Sequence, residues 1–423
     1  MARRELFKNK KFNLMKASKN FFIQKGFKNF SLKSFYQKKK YITVNSPCSI
    51  NVLILSYKNN INNVLITGDI IWFSDNSVQK IKSLISKSLS LSQESIVLSA
   101  SHTHGTPNPE KSILLPEYSK SFDNYIIKET LIAYKLAKKS KKIKVLMEFS
   151  RVTNDKFAVN RRRKALSFKN GMGFKMQNLP NFIKKNDKNI DILDILNSKN
   201  NKIVATILKV NCHPVAAIKN EVGGDYVGIL KEKLKSRSDQ VFFLQGFCGD
   251  IRPKIIKKNT TFKDYLITFL VGKRFRKQKA EDSLKVASSI FRSIKNKMSM
   301  NKKVYINSLG QSKEIFCNLK LENGTFFRKK LNITIWNWHK VIFIFLNGEI
   351  LSGYNILSYK DSEVICVGYA NGMIGYLPTK KDLMEGGYEV DKSRKNFQIE
   401  SRISIENEKI IKDNILILLK ESF

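Results

Sequence analysis

The sequence predicts an α/β fold of mixed sheets with flanking helices. Three observations predict it. Short apolar runs, such as residues 52–55, 203–208 and 241–244, recur along the chain. Amphipathic stretches with helical spacing lie between them, as with Val78, Ile81, Leu84, Ile85 and Leu89. Polar residues able to do chemistry fall where an apolar run stops, the position that lines a ligand crevice in α/β sheets.

Composition bounds the problem. The chain has 423 residues and 42% hydrophobic content, enough for a large core. Lys and Arg number 77 against 35 acids, a net charge of +42. Such an excess favours polyanions or anionic ligands. Part of it reflects a bias toward Lys, Asn, Ile, Ser and Phe that extends through motif-free stretches. No zinc finger, Gly-rich RNA-binding strand motif or basic zipper accompanies it, so no specific nucleic-acid partner is expected. The five cysteines (Cys48, Cys212, Cys248, Cys317, Cys366) are scattered, odd in number and without a CxxC pair. No disulfide framework is therefore expected. The basic N-terminus lacks an apolar h-region and no run reaches the ~20 residues of a membrane span. A cytoplasmic protein is the expectation.

Residues 1–40 carry many Lys and Arg, one acid (Glu5), and interleaved Phe7, Phe12, Phe21, Phe22, Phe27, Phe30 and Phe35. They read as a basic N-terminal arm, a solvated leader or cap capable of contact with a membrane surface or polyanion. The remainder, 41–423, reads as one continuous domain without a Pro/Gly/Ser-rich break.

Residues 52–55 and 64–69 read as adjacent strands joined by an Asn-rich turn, the second ending in Asp69. A helix over 76–91 follows. The strand at 95–98 opens into Ser101-His102-Thr103-His104-Gly105-Thr106-Pro107, which holds two of the chain's four histidines. Another amphipathic helix covers about 119–137. A strand at 144–149 leads to the basic run Asn160-Arg161-Arg162-Arg163-Lys164, where a solvated loop is the ordinary expectation. A strand from 203 ends at His213-Pro214, and Asp225 stands as a candidate N-cap of the next helix. The apolar strand 241–245 runs into Gly246-Phe247-Cys248-Gly249-Asp250-Ile251-Arg252-Pro253, a tight corner. A helix near 280–296 and strands near 303–320 follow. Residues 341–347 lead to Gly348-Glu349, and 364–369 lead to the segment that contains Tyr376. The C-terminus, about 404–420, closes the fold as a helix or strand pair.

His102, His104, His213, Asp250, Glu349 and Tyr376 thus all lie just beyond apolar strands. Imidazole and carboxylate are zinc ligands, and an open position for water makes such a site catalytic. The separations are long, so periodicity does not itself bring these residues together.

Their order resembles that of the neutral, non-lysosomal ceramidases and their bacterial relatives, over about residues 41–395. The family's Thr-His-Thr-His-Ser-Gly-Pro is matched by Ser101-His102-Thr103-His104-Gly105-Thr106-Pro107, and its Asn-Arg-Ser-Pro turn by Asn160-Arg161. Its second histidine falls on His213-Pro214. Its Gly-Asp-Val-Ser-Pro corner becomes Gly249-Asp250-Ile251-Arg252-Pro253, and its Pro-Gly-Glu turn becomes Asn347-Gly348-Glu349. The Tyr-x-x-Tyr segment falls on Met373-Ile374-Gly375-Tyr376-Leu377-Pro378-Thr379, and the later Tyr-Glu on Tyr388-Glu389.

The resemblance implies a ceramidase-like catalytic domain without the family's C-terminal β-domain. It implies one Zn2+ held by His102, His213, Glu349 and Tyr376, with Tyr369 the alternative fourth ligand. His104 and Arg161 would face the reacting carbonyl, and Asp250 and Arg252 complete the expected catalytic set. One departure matters. The family's corner carries a serine held to be the nucleophile, and Arg252 stands in its place. A guanidinium cannot serve in that role. Either hydrolysis is lost or zinc-activated water attacks. A permanent charge there favours a carboxylate, phosphate or sulfate over the apolar chains of ceramide. The leading expectation is a zinc-dependent hydrolase acting on an amide or ester of a small anionic or polar molecule. True ceramidase activity and a non-catalytic metal- or polyanion-binding protein are the alternatives.

Overall fold

The computed structural model describes residues 21–30, 43–110, 120–167, 172–184, 187–218, 221–296 and 303–422. In chain order, the first half comprises β1 (Phe21–Phe30), β2 (Thr43–Ser46), β3 (Cys48–Tyr57), β4 (Asn60–Gly68), α1 (Asp75–Leu89), β5 (Ile96–Ala100), α2 (Lys120–Lys139), β6 (Ile143–Thr153), β7 (Ala158–Ser167), β8 (Gly173–Asn181), β9 (Asn189–Asn197) and β10 (Ile203–Val210). The second half comprises β11 (Glu221–Gly223), α3 (Asp225–Leu234), β12 (Val241–Gln245), β13 (Ile251–Pro253), α4 (Phe262–Val271), α5 (Asp282–Asn296), β14 (Val304–Tyr305), β15 (Ser312–Cys317), β16 (Leu331–Trp338), β17 (Val341–Leu346), β18 (Glu349–Ile350), β19 (Ser358–Tyr359), β20 (Ser362–Val367), β21 (Tyr376–Leu377), α6 (Lys380–Glu385) and α7 (Asn407–Glu421).

A nine-stranded mixed sheet runs β12-β10-β9-β6-β1-β3-β4-β5, with β14 paired to β6. A five-stranded sheet runs β15-β16-β17-β20-β19. Phe21, Leu53, Leu65, Val97, Met147 and Phe242 of the first sheet pack against Trp336, Trp338, Phe343, Phe345 and Val367 of the second. The outer face of the large sheet is covered by Ile81 and Ile85 of α1, Ile126 and Ala133 of α2, Leu230 of α3 and Ile290 of α5. Ile411, Ile415 and Leu418 of α7 cover the outer face of the smaller one. The result is four layers, helix, sheet, sheet, helix, each apolar face buried against the next. This mixed α/β architecture is the fold class read from the sequence.

The expected division at residue 40 does not fit this architecture. Residues 21–30, read as part of a basic arm, form β1 inside the large sheet, paired antiparallel with β3 from Phe21↔Tyr57 to Phe30↔Cys48 and touching β6 at Phe22↔Lys144. Two features admit a charged segment there. Lys25 runs its amine out to the Val204 carbonyl and to Asp239 at 3.3 Å. Gly26 lets α2 approach, since a Cβ would lie 2.4 Å from the Ala133 carbonyl oxygen. The rest of the expected arm, 1–20 and 31–40, lies outside the described residues.

The basic run at 160–164 also departs from expectation. It belongs to β7, and Arg161 and Arg162 are buried. Asp225 is the first helical residue of α3, with Gly224 as the cap. Among the described residues, no helix is long and apolar enough to cross a membrane.

Candidate metal centre

Three parallel strand pairs, β4/β5, β10/β12 and β17/β20, deliver their C-terminal ends to one region. Hydrogen bonds knit these ends together across the two sheets, Ala100 N to Tyr369 O at 3.0 Å and Gly368 N to Gln245 O at 2.9 Å. Three non-glycine residues take left-handed backbone there: His102 (φ 63°), Tyr369 (φ 55°) and Asn371 (φ 56°). Such conformations persist only where the surroundings enforce them, and they concentrate at functional sites.

His102 leaves β5 and turns its Nδ1 to the carbonyl of Ile71 at 2.9 Å. His213, just past β10, turns its Nδ1 to the carbonyls of Cys248 at 2.8 Å and Ile251 at 3.1 Å. A carbonyl accepts, so each Nδ1 must carry the hydrogen and each Nε2 keeps its lone pair. Glu349 Oε2 lies 3.0 Å from His213 Nε2 and 3.4 Å from His102 Nε2. His104 Nε2 lies 3.3 Å from His102 Nε2. The Tyr369 hydroxyl reaches Glu349 Oε2 at 3.4 Å while its ring stacks on His102 at 4.2 Å.

Lone pairs therefore face lone pairs at hydrogen-bond distance. Such an arrangement requires a proton or a cation in its midst. Two ligands held ~2.0–2.1 Å from a tetrahedral zinc stand ~3.3 Å apart, which is the spacing found here. The three histidines form a cluster able to hold a metal ion, their ligand atoms all within 4.8 Å of one another. The donor set, imidazole and carboxylate with the second imidazole nitrogens tied to carbonyls, fits the group.

Electrostatics agree. Burial would raise the Glu349 carboxyl, but the facing His102 and His213 hold it well below the usual range. Burial lowers the His213 imidazole, against the pull of Glu349. His104 opens to solvent at the edge of the cluster. Desolvation on its inner side, with the neighbouring His102, His213 and Arg161, holds its pKa well below the ordinary imidazole value. Cys248 is no competing nucleophile, because burial pushes its thiol up to about 12.

Arg161 projects from β7. Its Nε donates to Glu389 Oε1 at 2.8 Å and its Nη2 donates to the Tyr376 hydroxyl at 2.9 Å. Arg162 Nη1 donates to the other oxygen of Glu389 at 2.7 Å. Glu389 thus clamps two buried arginines. Tyr376 sits beside Glu349 in the β18/β21 pair, Glu349↔Tyr376. Burial raises both tyrosines, and only Tyr376 has a cation, Arg161, drawing its pKa back.

Trp72 and Phe397 wall the site. The Trp72 ring stands 6.4 Å from His102, and Phe397 lies 6.1 Å from Trp72 and 6.3 Å from Tyr376. Beyond them opens a cleft of about 770 Å³ lined by Phe327, Met373, Phe397, Arg328 and Lys329, among others. That size suits a small molecule with an apolar portion.

No protein-family model and no curated protein matches this chain by sequence. Solved structures do match. The crystal structure of neutral ceramidase from Pseudomonas aeruginosa aligns with a TM-score of 0.67 and 11% identity, over 88% of this chain and 70% of that one. A ceramidase complexed with C2 aligns with a TM-score of 0.70 and 10% identity, over 93% and 74%. The fold is that of the neutral ceramidases. At such identity the likeness concerns the ceramidase fold alone.

Within this ceramidase-like fold the predicted site residues divide. His102, His104, His213 and Glu349 come together, with Tyr376 and Arg161 joined at the edge. Asp250 does not face them. Its carboxylate accepts from Asn160 Nδ2 at 2.6 Å and from Ser352 N and Oγ at 2.8 and 2.9 Å, so it braces the corner. Its backbone carbonyl also receives the N–H of Arg161 at 2.8 Å. Arg252 stacks on Phe275, 4.3 Å from ring centroid to guanidinium, and its buried Nε has no hydrogen-bond partner among the described residues. Burial and the neighbouring Arg161 push its pKa down to about 10, still charged at neutral pH. Asp69 also lies elsewhere, paired with Lys231 at 2.7 Å. The role of Arg162 was missed because a basic run normally marks a solvated loop; no sequence signal placed it inside.

Proposed function

We propose that the chain is a zinc-dependent hydrolase that cleaves an amide or ester bond of a small substrate carrying an apolar acyl portion and an anionic group. The observation that carries this reading is the convergence of the Nε2 lone pairs of His102 and His213 on the Glu349 carboxylate, with His104 Nε2 beside them. Imidazole and carboxylate donors suit zinc. His102, His213 and Glu349 would hold it. Tyr376 completes the set, because Arg161 favours its phenolate whereas Tyr369 faces Glu349 and the Cys248 thiol. When bound, zinc supplies Lewis acidity, polarising a carbonyl and acidifying water.

The chain's own residues supply the rest. Water is the nucleophile in this reading, since Arg252 stands where the sequence resemblance would put a serine. His104, held neutral, takes a proton from the attacking water on Nε2 and returns it to the departing nitrogen or oxygen. Two of the five N–H groups of Arg161 are engaged by Glu389 and Tyr376. The others steady the charge that develops on the carbonyl oxygen. Trp72, Phe327, Met373 and Phe397 receive the apolar part. Arg252, whose Nε is unpaired, favours an anionic one.

The test is elemental analysis of purified protein together with turnover of N-acyl amino acids. Near-stoichiometric zinc and hydrolysis, both lost in His213→Ala, are expected. Protein without zinc would overturn the reading. The apolar cleft walls favour a second reading, hydrolysis of ceramide itself. A fluorescent ceramide cleaved faster than an N-acyl amino acid would decide for it.

A further inference from the structure

Helix α4 is built inside out. Its described outward residues are Phe262 (84% exposed), Tyr265 (61%), Leu266 (48%), Phe269 (87%) and Leu270 (51%). Its one buried residue is polar, and Ile267, Thr268 and Val271 are half-buried. Asp264 is buried, paired with Lys257 and with Arg274 at 2.9 Å, and Thr268 donates to Asn259 Oδ1 at 2.8 Å. The C-terminal Gly272, at φ 82°, packs against the Arg163 guanidinium, where a Cβ would lie 2.0 Å from Nη1. The helix is thus fixed to the body by its polar side, and its apolar side has no cover among the described residues. Phe182 and Ile183 (94% exposed) adjoin it, since Lys254 and Lys273 both stand over the Phe182 ring at 5.6 Å.

The surroundings identify what would cover it. Residues 254–279 contain nine Lys and Arg and a single acid, Asp264. Lys254, Lys258, Lys263, Lys273, Lys277 and Lys279 are exposed. No carboxylate pairs with these six among the described residues. Beside α4 lies a cleft of about 1200 Å³ edged by several of these lysines. A nucleic acid would answer the charge but not the phenylalanines. A second copy would answer the phenylalanines but bring the same cations against them. An apolar patch ringed by Lys is the pattern of an interfacial helix on an anionic bilayer, apolar residues in the acyl boundary and cations at the headgroups.

We infer that α4, with Phe182 and Ile183, is a docking surface for anionic lipid membranes. Docking does not require the proposed hydrolysis, so the two fail separately. The surface lies close to β7 and β13, which carry Arg161 and Arg252, so docking would bring a lipid phase near the zinc site's outer wall.

The full chain is tested by vesicle co-sedimentation on phosphatidylcholine with and without phosphatidylglycerol, in moderate salt. Binding that requires the anionic lipid, and that weakens about tenfold or more in Phe262→Ser/Phe269→Ser, is expected. A second measurement uses Phe269→Trp. The native Trp72, Trp336 and Trp338 are buried, so quenching of new emission by brominated lipid reports insertion at position 269. Vesicle binding without such quenching, or undiminished in the double variant, would mean charge alone and overturn the inference. So would RNA binding that falls in the double variant while vesicle binding does not, or a dimer that the double variant dissolves in the absence of any vesicle binding.

Discussion

The histidine cluster and α4 reverse each other's polarity. At the cluster, charge is buried and apolar residues form the outer walls: Glu349, Glu389, Arg161 and Arg162 are inside. At α4 the only buried residue is an aspartate and the aromatic side chains point to water. β7 contributes to both, with Arg161 and Arg162 turned to Glu389 and Arg163 against Gly272. Buried charge is tolerated only when every partner is present, so that region is rigid and intolerant of change. Exposed apolar surface owes nothing to the fold, and it is free to be selected for something else.

The largest effect that would break this contrast belongs to the cluster. His213→Ala should remove most of the bound metal, read by elemental analysis, and reduce turnover by about 1000-fold or more. Retained metal would show that the remaining donors suffice.

Glu389→Ala leaves the buried Arg161 guanidinium without its carboxylate and removes one of the three acids around Arg162, the others being Asp382 and Glu385. A loss of about 3–5 kcal/mol in denaturant unfolding is expected. The same clamp predicts a pH dependence. Burial would raise the Glu389 pKa, but Arg161 and Arg162 outweigh it and hold it below its ordinary value. Its contribution is therefore present above the ordinary glutamate range and is lost as pH falls through the lowered folded value. Unfolding followed from pH 6 downward should show this slope in the parent and a smaller one in Glu389→Gln.

The two tyrosines sharpen the assignment within the cluster. Tyr376→Phe should weaken zinc affinity about 10-fold or more, measured by competition with a chelator, whereas Tyr369→Phe should change it less. The reverse order would transfer the ligand role to Tyr369. Arg252→Ala should raise KM for an anionic substrate about tenfold and leave that for a neutral analogue nearly unchanged. Equal effects would remove Arg252 from substrate recognition.

The smallest effect lies at α4. Phe269→Ser, at a residue 87% exposed, should shift unfolding free energy by less than about 0.5 kcal/mol. A larger loss would mean that the ring is covered in the folded protein after all.

Much of the cluster was legible because a strand that ends in a functional residue writes both facts locally. The apolar runs before His102, His213 and Glu349 gave the strands, and the ordered motifs gave the set. What local sequence could not supply is direction. Asp250 lies in the same corner as a family motif, yet its carboxylate turns to Asn160 and Ser352. Arg161 and Arg162 look like a solvated run because charge usually signals exposure, and the partners that explain their burial, Glu389, Tyr376 and Asp382, lie more than 200 residues away. α4 was overlooked for the opposite reason. Its residues are those of a core helix, and nothing in a sequence announces that a core-like helix faces outward. β1 was hidden by its charges: Lys25 carries its amine out to Asp239 and Lys28 is exposed.

That strand has a consequence for anyone who shortens the chain. β1 is the seam that joins the β3 side of the large sheet to the β6 side. Trimming the basic leader at residue 40 would open that seam, leaving the edge of β3 without a ten-residue partner and its N–H and C=O groups free to recruit another chain. The shortened protein would lose no catalytic group, yet it would be expected to aggregate.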